Sequence, residues 1–86
     1  MDTRIYNLIE SKVKTLNDYY ANDVVAVKYE AVNQFTDTTK AEIWMPNYPN
    51  RITHSVLCYF LPTFTAANII YDIVTKEDRV FIEICF

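Results

Sequence analysis

Apolar residues recur at Ile5, Leu8, Ile9, Leu16 and Tyr19 or Tyr20, with Val13 near the same face, at the spacing of an amphipathic helix. Asp2 and Thr3 ahead of them are good N-cap types, so the pattern predicts a helix over 3–21. Its other face carries Arg4, Asn7, Glu10, Ser11, Lys14 and Asp18, and there Glu10 and Lys14 stand four apart in the favourable order for an ion pair. Asn22 and Asp23 tolerate left-handed backbone and compete with it for hydrogen bonds, which predicts the helix end there.

The period then changes from 3.6 to 2. Over 24–32, Val25, Val27, Tyr29 and Ala31 alternate with Lys28 and Glu30, the signature of a half-covered strand. The polar stretch 34–39 reads as a hairpin loop. Over 40–45 a second strand sets Ala41, Ile43 and Met45 against Glu42 and Trp44. Pro46 and Pro49 stiffen the loop 46–51 and bias Met45 and Tyr48 away from helix, which suits it to making contacts.

The segment 52–61 ends in an unbroken apolar run before Pro62, which predicts a third strand covered on both faces. Over 65–76, Ala66, Ile69, Ile70, Ile73 and Val74 fit a helical template with Thr65 as N-cap. A competing reading is a hairpin whose tip is Lys76-Glu77-Asp78, since 69–75 is rich in β-branched residues. The last strand, 80–86, alternates Val80, Ile82, Ile84 and Phe86 against Phe81, Glu83 and Cys85.

The expected fold is α+β: a single, mostly antiparallel four-stranded sheet with two helices on one face, in the order α-β-β-β-α-β. In that order the second helix is a crossover, and the last strand lies parallel to the third. The alternative is one helix followed by a five-stranded antiparallel sheet. No repeat or linker divides the chain, so residues 1–86 are expected to form a single small domain.

Composition narrows the function classes. Charged residues are 22% of the chain against 51% hydrophobic, which argues for a folded rather than a disordered chain. A net charge of -3 gives no basic footprint for nucleic acid. Glycine is absent, which excludes Gly-rich phosphate loops and forces left-handed turns onto Asn or Asp. No apolar stretch is long enough to span a bilayer, and charges near Met1 stand where a signal peptide has its apolar core, so a cytoplasmic protein is expected. In that setting Cys58 and Cys85 are expected to be reduced, buried thiols.

Candidate chemistry is sparse. His54 and Cys58, four apart in a strand, would lie roughly 13 Å from each other, too far for a thiol-imidazole dyad. Three Cys and His side chains in all cannot supply a structural zinc site alone, so neither metal nor cofactor is expected. The carboxylates read as solvated faces and turns, with Glu83 as a charge that protects a sheet edge.

The aromatic supply is generous: 7 Tyr, 5 Phe and Trp44. If helices cover the Ile43 face, Trp44 and Glu42 look outward, and with Tyr48 and Arg51 they form a candidate partner-binding cluster. The expected function is a non-enzymatic binding module that occupies a larger protein's surface through this cluster, aided by acidic side chains of the first helix. In size and charge the chain is similar to small inhibitors encoded by viruses and mobile elements, anti-CRISPR types included. An apolar terminal strand also suggests a homodimer. Two alternatives stand beside this: a small-ligand or nucleotide sponge using the same aromatics with Arg51, and an enzyme using His54 as acid or base.

Overall fold

A computed structural model describes residues 1–46 and 51–86, with Pro46 and Arg51 described by their backbone alone. Among these residues the order is α1 (Thr3–Tyr20), β1 (Ala26–Asn33), β2 (Thr38–Pro46), α2 (Arg51–Ala66), β3 (Tyr71–Lys76) and β4 (Arg79–Cys85). The fold is α+β, with one four-stranded antiparallel sheet ordered β1-β2-β4-β3. No helix among the described residues is long and apolar enough to cross a membrane.

The first half follows the alternation read above. Asp2 caps α1 by accepting from the Arg4 amide at 3.0 Å. Ile9 and Leu16 of α1 are buried against Ala41, Ile43 and Met45 of β2. The Asn17 side chain ties the end of α1 to the start of β1: its Oδ1 accepts from the Val24 and Val25 amides at 2.9 and 3.0 Å, and its Nδ2 donates to the Val25 carbonyl at 3.0 Å. Lys14 pairs with Asp18 at 2.8 Å rather than with Glu10, whose carboxylate accepts from the Tyr29 hydroxyl at 2.7 Å.

The second half corrects the expected order. Residues 52–61 belong to α2, not to a strand, because Val56, Phe60 and Phe64 recur every four residues and all reach the core with no exposure. Of the residues between them, Leu57 and Leu61 are half-buried and pack against the edge of the core, while Cys58 and Tyr59 are exposed. Pro62 does not stop the segment; it lies exposed within the helix, where its ring points to solvent.

The helix expected over 65–76 is instead the end of α2 followed by β3, the hairpin alternative. Asn68 takes a left-handed φ of 56° and ends α2, with the Ile69 amide donating to the Phe64 carbonyl at 2.8 Å and the Asn68 amide to Thr65 at 3.1 Å. The β-branched run then pairs with β4 across a loop of Glu77 and Asp78. The last strand is therefore antiparallel to both neighbours, not parallel to one. α2 carries the chain over β4's place, and the β3-β4 hairpin inserts β4 into the centre.

That central position overturns a further expectation. Glu83 protects no edge, since β4 lies between β2 and β3. For the same reason β4 has no free edge through which two copies could pair. Both cysteines are free and exposed rather than buried. Left-handed turns use Asp37 and Asn68 as glycine's absence requires, but also Ala21 and Glu77, at φ of 51° and 53°.

Candidate functional site

Strand alternation and register together decide what the uncovered side of the sheet carries. Val80, Ile82 and Ile84 of β4 lie opposite Met45, Ile43 and Ala41 and are buried under the helices, so their alternate neighbours face away. Trp44 pairs with Ala26 on one side and Phe81 on the other, and Phe81 pairs with Val74. These four make a non-polar row across the sheet. The next row is Lys28, Glu42, Glu83 and Asp72, and on the other flank stand Arg79 and Lys76.

The row is held by its own contacts. The Trp44 and Phe81 rings stack at 6.5 Å between centroids and 22° between planes. The Arg79 guanidinium lies 4.2 Å from the centre of the Trp44 ring, and Lys76 Nζ lies 5.9 Å from that of Phe81. A cation held over a ring face is attracted by the ring quadrupole, worth about 0.5–1 kcal/mol at an exposed site. Trp44 and Phe81 are each half-buried.

Below the rings, Glu42 and Glu83 stand directly opposite each other on the two central strands, with side chains 30% and 25% exposed. Like charges in that position repel, and Lys40 offsets the repulsion from the same face: its Nζ lies 3.3 Å from Glu42 and 3.8 Å from Glu83. The hydrogen bond to Glu42, then the charge of Glu83, hold the Lys40 ammonium above its usual range. The face is thus a band of rings between a cationic flank and an acidic one.

Of the residues expected to form the site, Trp44 and Glu42 sit together on this face. Tyr48 lies outside the described residues, and Arg51 opens α2. The cation beside the indole is Arg79, which sequence reasoning missed together with Phe81 and Lys76. Alternation had already set Phe81 and Glu83 on the side opposite Val80; the absent information was that β4 pairs with β2.

The helix side holds a second cluster. Because residues 52–61 are helical, His54 and Cys58 are one turn apart, and Nε2 and Sγ are 3.4 Å from each other rather than far apart. Both are exposed. Among the described residues no group of three or more His, Cys, Asp and Glu is placed to hold a metal ion.

No protein-family model, no curated protein and no solved structure matches this chain. The functional reading therefore rests on the geometry of these two surfaces.

Proposed function

We propose that this protein is a non-enzymatic binding module that covers a surface of a larger protein, and blocks or adapts it, through the uncovered face of its sheet. The observation that carries the reading is the Trp44-Phe81 stack under Arg79 on a face that no helix shields. Tyr, Trp and Arg dominate the residues whose truncation costs most at protein interfaces, and they act best as rigid anchors. Here the anchors are already ordered by stacking, so little side-chain freedom is lost on association. The complementary partner surface is an apolar ridge with an acidic strip to meet Arg79 and Lys76 and a basic strip to meet Glu42, Glu83 and Asp72.

The test is partner capture by the wild type, Trp44→Ala, Arg79→Ala and a helix-side control, Ser55→Ala, with circular dichroism to verify the fold. The expected result is that the same bound protein is lost with the first two variants and kept with the control. Capture unchanged by Trp44→Ala removes this face from consideration.

A second reading draws on the cationic flank: a nucleotide could stack its base on the ring row and place phosphate by Arg79 and Lys76. A thermal-shift series with nucleotides separates the two, since a ligand at 100 times its dissociation constant adds about 2.7 kcal/mol of stability. Absence of a shift leaves protein binding.

A further inference from the structure

We propose that His54 and Cys58 are half of a tetrahedral site for a zinc-class divalent cation, and that a second copy of this chain completes it through α2. The separation of the two donor atoms already suits an ion. With metal-sulfur and metal-nitrogen bonds of about 2.3 and 2.0–2.1 Å, a tetrahedral angle sets the two ligand atoms about 3.6 Å apart. Nε2 and Sγ stand at 3.4 Å, so an ion can enter with almost no movement of either side chain. Both side chains are open to solvent, which leaves an entry path.

One copy of the chain is short of ligands. The chain contains 1 His and 2 Cys, and the remaining thiol, Cys85, pairs in register with Lys40 on the face away from the helices, so it cannot turn toward α2. No nearby carboxylates complete a set among the described residues. Two copies supply two thiolates and two imidazoles, a complete set whose charge cancels that of a divalent ion. Each thiol gives up its proton to solvent as it binds.

The surface around the pair suits a second copy. Among the residues of α2 whose side chains are described, the exposed ones include His54, Ser55, Cys58, Tyr59, Pro62 and Thr65, and none of these carries a charged carboxylate or ammonium. Lys12 of α1 borders this strip, with Nζ 3.9 Å from the centre of the Tyr59 ring. The outer face of α1, by contrast, carries Arg4, Lys14 and Asp18. Interface centres are depleted in charge, so α2 is the helix face that another copy can cover without stripping water from ions. Because α2 packs on the side opposite Trp44, the bridged pair leaves both recognition faces free and makes the binder bivalent.

The experiment is titration of the reduced full chain with Co²⁺ as a spectroscopic probe, then with Zn²⁺. Expected are thiolate-to-cobalt absorption and tetrahedral visible bands that saturate at one ion per two chains, displaced by Zn²⁺. Sedimentation should give a dimer with Zn²⁺ and a monomer with chelator. His54→Ala and Cys58→Ser should each weaken binding about tenfold or more, while Cys85→Ser leaves it unchanged. Both substituted side chains are exposed, so the fold persists, and circular dichroism verifies it. Saturation at one ion per chain, a dimer indifferent to metal, or affinity insensitive to His54→Ala overturns the proposal. Trp44→Ala should not alter metal binding, so failure here and failure of the sheet-face reading are distinguishable.

Discussion

Pro62→Ala should stabilise the protein, and by an amount that decides whether this segment is a helix. Pro62 stands well inside the 16-residue α2, where it has no amide N–H to donate to the Cys58 carbonyl and where its ring crowds the preceding turn. Pro costs about 3 kcal/mol relative to Ala in a helix interior. Two terms reduce the gain: Ala frees the unfolded chain by about 0.4–1 kcal/mol, and a helix already adapted to the ring recovers only part of the lost bond. Pro62 is exposed, so no cavity is left behind. The net expectation is about 2 kcal/mol, or a rise of about 8–16 °C in Tm for a domain of this size. Thermal and urea unfolding measure it, with an unchanged m-value as the check that only stability moved. A neutral or lowered Tm would refute the helical placement and return Pro62 to the role of a strand terminator.

The left-handed residues give a second prediction: Ala21→Gly and Glu77→Gly should each raise stability by about 0.5–1 kcal/mol in urea unfolding, because a Cβ is penalised at φ of 51° and 53°. Burial, and then the hydrogen bond to Glu10, push the Tyr29 phenol above its ordinary value of 10.0. A raised folded value means the stabilisation is complete below the unfolded value and is lost as pH rises above it. Stability should therefore hold from about pH 8 to about pH 10 and decline above that, and Tyr29→Phe should flatten the decline. Glu83→Gln removes one of the two opposed carboxylates while Lys40 keeps its closer partner Glu42, so stability should rise by about 0.2–1 kcal/mol at low salt. The gain should shrink as salt screens the pair, and a loss of stability at low salt would contradict the repulsion.

The first half of this fold was legible because α1, β1 and β2 each show one clear period: Ile9, Leu16, Val25, Ala41, Ile43 and Met45 are buried as the spacing names, although Ala31 is exposed. The third segment was not. A fully apolar run hides its period, since Leu57, Cys58 and Tyr59 look the same to a pattern whether they face inward or not. Pro62 reinforced the error, because a proline tolerated on the solvent side of a helix has the same sequence signal as one that ends a strand. For 69–75 the β-branched residues carried the correct information and the helical spacing was coincidental.

The candidate site was legible to the same depth. Trp44 and Glu42 were placed on the outward side by alternation within one strand. Arg79, Phe81 and Lys76 entered only through pairing between β2, β4 and β3, which depends on contacts distant in sequence. The same error of segment type hid the His54-Cys58 pair, since the spacing that separates two side chains along a strand joins them on a helix.

Fluorescence of the single tryptophan reports on this face, because Trp44 is the only indole in the chain and lies in the middle of the proposed surface. With the partner captured by the wild type, its emission should move to shorter wavelength and its quenching by acrylamide should fall to a small fraction of the free protein's. An emission maximum and quenching constant identical in the free and the bound protein would contradict the assignment of this face.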